Sequence, residues 1–110
     1  MTMQWKLVCK QSDLVVDAGV AAMVNGEQVA LFYVPESEDK IFAIGNWDPI
    51  GKANVLSRGL IAHLQGVWVV ASPLYKQHFV LSSGACLEED ICVPHWQVKL
   101  DGDDVYIAGH

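Results

Sequence analysis

Three cysteines and four histidines are the residues of this chain best suited to bind a metal or attack an electrophile. Cys92-Val93-Pro94-His95 has a Cys-x2-His spacing, with Cys86 and His78 upstream. Thiolate and imidazole suit zinc or iron. A structural site needs about four ligands in paired clusters, and this pair has no partner at comparable spacing. Pro94 also stiffens the segment into an extended strand entry. The plainer reading is that the cysteines act as small buried hydrophobes. For nucleophilic chemistry the candidates are Ser72, Cys86 and Cys92, with His63, His78 and His95 as bases. No Gly-x-Ser-x-Gly elbow frames Ser72, and no protease signature frames a cysteine. The glycines at 45, 51, 59 and 66 form neither a dinucleotide nor a Walker pattern. Asp48 and the acidic tail supply no spaced calcium loop.

Two loops are alike in kind. Asn46-Trp47-Asp48-Pro49-Ile50-Gly51 follows an apolar run, Ile41 to Ile44, and Ser72-Pro73-Leu74-Tyr75-Lys76 follows another, Val67 to Ala71. Each turns at a proline. They bring Trp47, Ile50, Leu74 and Tyr75 to one end of the molecule, either to cap the local core or to form an exposed apolar patch for a protein partner. Lys52, Arg58 and Lys76 lie nearby in sequence, as charged rim contacts or as solvated surface.

The elements that position these loops read as strands. Gly19 to Val24 and Val29 to Val34 flank Asn25-Gly26, a hairpin signal because both turn residues tolerate positive φ. Ile41 to Ile44, Val67 to Ala71, Gln77 to Leu81 and Val105 to Ile107 read as further strands. Trp96, Val98 and Leu100 alternate with polar residues, which places them on one face. Asn54 to Leu64 reads as a helical turn interrupted by Gly59. Short strands separated by turns predict an all-β sandwich of antiparallel sheets or a small barrel.

Composition bounds the function. At 110 residues, 52% hydrophobic, with mean hydropathy +0.24, the chain has the size and apolar content of one folded domain, read as residues 1–110. Its net charge of −6 argues against nonspecific binding to nucleic acid. Residues 87–110 alone carry a net −5, an acidic face of the kind that is usually solvated. Three cysteines are too few for a disulfide framework. The start, Met1-Thr2-Met3-Gln4-Trp5-Lys6, has no apolar core of signal-peptide length. The longest apolar run, Val29 to Val34, is far short of the ~20 residues of a membrane helix. A cytoplasmic protein is the expectation, with no membrane partner.

The paired loops resemble those of a Rieske-type iron–sulfur domain, where a Cys-x-His loop and a Cys-x2-His loop ligate one [2Fe–2S] cluster. By position the first ligand pair falls on Asp48 and Ile50, and the second on Ser72 and Tyr75. None is a cysteine or histidine. Pro49, Pro73, Phe79 and Ser83-Gly84 keep the surrounding pattern. The chain is similar to the small subunits of NADH-dependent nitrite reductase. Three segments carry that resemblance: Val55-Leu56-Ser57-Arg58-Gly59-Leu60-Ile61, Ala71-Ser72-Pro73-Leu74-Tyr75-Lys76-Gln77-His78-Phe79 and Gly84-Ala85-Cys86-Leu87-Glu88. It implies a Rieske-like fold without cluster ligands and no catalytic, cofactor-binding or metal-binding residue in this chain. It also implies docking on a large subunit that uses NADH, FAD, sirohaem and an iron–sulfur cluster to reduce nitrite to ammonium. Two alternatives stand beside it. One is a free-standing ferredoxin-type carrier using Cys86, Cys92 and His95; the other is a β-sandwich interaction module.

Overall fold

The structure is a computed structural model that describes residues 4–108; Met1 to Met3, where the targeting reading begins, and residues 109–110 lie outside the described residues. Among the described residues eleven strands follow one another. They are β1 (Lys6–Lys10), β2 (Ala18–Val24), β3 (Glu27–Tyr33), β4 (Ile41–Gly45), β5 (Trp47–Asp48), β6 (Ala53–Asn54), β7 (Leu60–Leu64), β8 (Val67–Ala71), β9 (His78–Val80), β10 (His95–Asp101) and β11 (Asp104–Ala108). They form a six-stranded sheet in the order β1-β11-β10-β4-β3-β2, a three-stranded sheet β7-β8-β9 and a two-stranded ribbon β5-β6. Every pairing between these strands is antiparallel. The all-β expectation holds.

Side-chain alternation along β3 explains why its sequence is an unbroken apolar run. Ala30 and Phe32 enter one core with Val70 of β8, Phe79 of β9, Leu81 and Val93. Val29 and Leu31 point the other way, into a second core with Ala43 and Ile107, flanked by Trp96 and Val98. A strand buried on both faces has no room for a polar residue. The Asn25-Gly26 turn joins β2 to β3 as read, with φ of 52° and 80° at the two residues.

Some expectations need correction. Asn54 to Leu64 holds the expected helical turn, which ends at Gly59, but the strand that follows it is not expected. A single 3-10 turn spans Leu56–Arg58, and after Gly59 the chain extends as β7, with Leu60 opposite Ala71. Gly59 lies so close to Ala71 that an added Cβ would fall 2.2 Å from its carbonyl oxygen, so the backbone is pressed onto β8. Of the three alternating apolar residues of β10, Trp96 and Val98 pack against the second core, whereas Leu100 is 40% exposed. Strands β1, β5 and β6 were not expected. Lysines bracket β1 at both ends, and β5 and β6 have two residues each, too few for a pattern. No helix among the described residues is long and apolar enough to cross a membrane.

Candidate functional site

Both loops end on a lysine and share one design. The Lys52 N–H donates to the Asp48 carbonyl at 2.7 Å, and the Lys76 N–H to the Ser72 carbonyl at 3.1 Å. Each lysine takes a left-handed backbone, with φ of 57° and 67°. A proline follows the first residue in each case and presets the turn. The first side chain then caps its own loop. Asp48 Oδ1 accepts the Ile50 and Gly51 N–H groups at 2.9 and 3.1 Å, and Ser72 Oγ accepts the Leu74 N–H at 3.3 Å. Asp48-Pro49-Ile50-Gly51-Lys52 and Ser72-Pro73-Leu74-Tyr75-Lys76 are thus one loop built twice.

The two copies meet through their first residues. The Ser72 hydroxyl donates to Asp48 Oδ2, and both residues are fully buried. Leu74 closes over this pair. An added Cβ at Gly51 would lie 2.4 Å from Leu74 Cδ1 and 3.1 Å from Asp48 Oδ2, so a larger residue there would push the Leu74 side chain aside. Just before the first loop, buried Asn46 ties the tip to the body. Its amide nitrogen donates to Gln28 Oε1 at 2.9 Å, and its Oδ1 accepts the Ser57 N–H at 2.7 Å. Sequence reading took Asn46 only as a turn residue, since nothing local marks an asparagine as a buried hub.

These positions do not fit an iron–sulfur cluster. A Rieske centre needs two thiolates and two imidazoles. Here Asp48 and Ser72 spend their polar atoms on each other and on loop amides, Ile50 packs against the core and Tyr75 points outward at 63% exposure. Of the four apolar candidates, Trp47, Leu74 and Tyr75 are exposed, while Ile50 packs against the first core. Lys52, Arg58 and Lys76 are exposed. Between residues 41 and 87 Asp48 is the sole acidic residue, and it is buried. Every exposed charge of that stretch is therefore positive, on a chain whose net charge is −6.

The segment with the ligand-type residues is built differently. Ala85 bridges Cys92, and Phe79 bridges Cys86. The Val93 N–H donates to the Gly84 carbonyl at 2.8 Å, and the Gly84 N–H donates to the Val80 carbonyl at 2.7 Å. Glu88 receives the His78 backbone N–H at 2.7 Å on Oε1 and the His78 Nδ1–H at 2.6 Å on Oε2. Desolvation pushes the Glu88 carboxyl up, but these His78 hydrogen bonds and the nearby imidazole charge outweigh it and hold the carboxyl below its ordinary value. Cys86 Sγ lies 3.7 Å from Glu88 Oε1 and packs against the first core. Cys9 packs against the second core, and burial, then Asp13, pushes its thiol up. The reading of cysteines as buried hydrophobes fits these two. It fails for Cys92, which is exposed.

Ser72 and the candidate bases have other settings. Ser72 is bound to Asp48, His63 stacks on Trp68 with ring centroids 4.5 Å apart, His78 is held by Glu88, and His95 is exposed on β10. Among the described residues no three His, Cys, Asp or Glu side chains converge so as to hold a metal ion. Cys86, Cys92 and His95 therefore do not make the cluster site that the carrier reading requires.

Comparison with known proteins extends these observations. The family model for the Rieske-like [2Fe-2S] domain matches residues 4–108. The chain is similar to the nitrite reductase (NADH) small subunit of Escherichia coli K12, 47% identical over 107 residues, covering 96% of this chain and 98% of that protein. Its structure resembles the solution structure of the E. coli protein NirD, with a TM-score of 0.87 and 45% identity, covering 98% of each chain. It also matches part of the nitrite reductase [NAD(P)H] large subunit of Klebsiella oxytoca, 36% identical over 105 residues, which are 94% of this chain but 11% of that protein.

Proposed function

This chain belongs to the family of NADH-dependent nitrite reductase small subunits, within the Rieske-like domain family, and from that premise we propose that it docks on the large subunit and supports reduction of nitrite to ammonium. In this reading residues 1–110 are one cytoplasmic domain with no cofactor of its own. NADH, FAD, sirohaem and the iron–sulfur cluster belong to the large subunit. The Klebsiella match carries the proposal: a relative of this domain is part of a large-subunit chain there. A domain covalently joined to that body in one protein and separate in another has a reason to sit on it in both.

The docking face we assign is the loop tip. Trp47, Leu74 and Tyr75 are exposed apolar residues, and we assign them as anchors, with the exposed cations Lys52, Arg58 and Lys76 of the same stretch of sequence as their rim. Aromatic anchors with a charged rim are the usual make-up of a protein interface. The rim is positive on an acidic chain, so approach is tip-first toward a negative surface and slows as salt rises. The test is reconstitution of nitrite-dependent NADH oxidation by the large subunit with and without this chain. Activity is expected to fall several-fold on omission, and unchanged activity would remove the supporting role. Trp47→Ala with Tyr75→Ala is expected to weaken co-purification by about 2 kcal/mol or more. A folded double variant that binds at wild-type strength means the tip is not the interface.

A further inference from the structure

We infer that the hydrogen bond between Asp48 and Ser72 is a metal-free cross-link that locks the two loops together and thereby holds the exposed side chains they carry, Trp47 on the first and Leu74 and Tyr75 on the second, in a pre-formed arrangement for the partner. This rests on the docking reading above and adds to it the reason the face is rigid.

The loops need such a link. Each closes its backbone on itself, through the Lys52-to-Asp48 and Lys76-to-Ser72 bonds. They are carried by different sheets, the first beside the β5-β6 ribbon and the second at the end of β8. The Ser72 hydroxyl and the Asp48 carboxylate join them across 24 residues of sequence. Neither group is exposed. A buried carboxylate is costly unless its lone pairs are used. Asp48 uses them in two directions: Oδ1 takes the Ile50 and Gly51 amides of its own loop, and Oδ2 takes the hydroxyl of the other. Ser72 in turn accepts the Leu74 amide, so each residue caps its own loop while holding the opposite one. A serine–carboxylate pair of this kind fixes register, which two apolar side chains of similar volume would not.

Leu74 depends on it directly, and Trp47 and Tyr75 through the backbone beside it. Leu74 has its amide on Ser72 and its side chain over Gly51 of the other loop. Trp47 and Tyr75 are sequence neighbours of Asp48 and Leu74 respectively. A face ordered in advance loses less conformational freedom when it binds. The same two residues stand where the resemblance puts the first ligand of each loop, so the link occupies the positions from which a cluster would join them.

The test reads motion and binding separately. Amide exchange in the full chain is followed by NMR at Ile50, Gly51 and Leu74, with Leu31 and Phe32 of β3 as the internal control. Affinity for the cofactor-loaded large subunit is measured on the same proteins. Ser72→Ala leaves Asp48 free to cap its own loop, yet exchange at Ile50 and Gly51 is expected to rise about tenfold, and affinity to fall by about as much, with β3 unchanged. Asp48→Ala is expected to do the same at Leu74, and the double variant to be no worse than the worse single one, as for one shared interaction. Asp48→Asn keeps an acceptor for the loop amides and a donor for Ser72, and is expected to restore most of both. If Asp48→Ala does not fold, Ser72→Ala carries the test alone. Wild-type exchange at Ile50 and Gly51 in Ser72→Ala overturns the cross-link, whatever the docking face proves to be. Fast exchange with wild-type affinity overturns the pre-formed face. If Trp47→Ala with Tyr75→Ala also binds normally, it is the docking reading that has failed.

Discussion

The paired loops and the segment from Gly84 to His95 hold opposite halves of what a metal site requires. The loops have the geometry: two matching turns, brought face to face at a buried point. The later segment has the chemistry: two cysteines and a histidine, joined at its edge by His78 and Glu88. In the loops the converging atoms are a carboxylate and a hydroxyl that satisfy each other. In the segment the sulfurs do not converge, since Cys86 packs inward beside Glu88 while Cys92 is exposed. Residue type and residue placement are independent requirements, and each region meets one of them. That is why an inventory of ligand-type residues and the pattern of the loops point to different parts of the chain.

The comparison makes the later segment a structural element, and its glycine is the place to break it. Gly84 has φ of 77°, and an added Cβ would fall 2.1 Å from the Val93 carbonyl oxygen. Gly84→Ala must therefore adopt a left-handed backbone and push Val93, a core residue, away. We expect a loss of about 2–4 kcal/mol from the combined strain and clash. For a chain of this size that lowers Tm by roughly ten degrees or more in a thermal melt. A melt at the wild-type temperature would mean that the segment is not anchored through Gly84, and the contrast with the loops would lose its structural half.

Much of the fold was legible because its signals are local. The Asn25-Gly26 turn and the doubly buried run from Val29 to Phe32 need no distant partner to be read. The resemblance of the loops was legible too, through Pro49 and Pro73. What could not be read were contacts made at long range. Nothing near Asp48 in sequence says that it meets Ser72, 24 residues away. Nothing near Asn46 says that it receives the Ser57 amide. Glu88 was counted with a solvated acidic face, but its two oxygens bind a histidine ten residues upstream. Ile50 and Trp47 have similar local settings, and only the packing decides that one faces the core and the other water.

The His78–Glu88 contact sharpens the comparison at the edge between the two regions, because His78 follows the second loop and Glu88 belongs to the later segment. The folded state holds the Glu88 carboxyl below its ordinary value. A group lowered in this way stabilises the fold above its unfolded pKa, and the contribution disappears as pH falls through the folded one. The difference in urea stability between wild type and Glu88→Gln should thus be fully present near neutrality. It should shrink below the ordinary carboxylate value of about 4. Glu88 is substantially exposed, so the difference should be at most about 1 kcal/mol. A difference that stays constant from neutral pH into acid would mean that the carboxylate charge is not what joins the two regions.

The smallest expected effect is the one that separates the regions most cleanly. Cys92 is exposed, and its segment is held by backbone bonds that a side-chain change leaves in place: Cys86 N–H to Ile91 carbonyl at 3.0 Å and Val93 N–H to Gly84 carbonyl at 2.8 Å. Cys92→Ser removes the thiol and little else. It should change stability by less than about 0.5 kcal/mol, the range of ordinary surface substitutions. Reconstituted nitrite-dependent NADH oxidation should be unchanged, because the docking reading gives the thiol no role. A ferredoxin-type carrier makes the opposite demand. It needs Cys92 as a ligand, so the substitution would abolish bound iron and the visible absorption of protein prepared without oxygen. Wild-type protein that carries iron, and loses it on Cys92→Ser, would move the chemistry from the loops to the later segment and reverse the comparison.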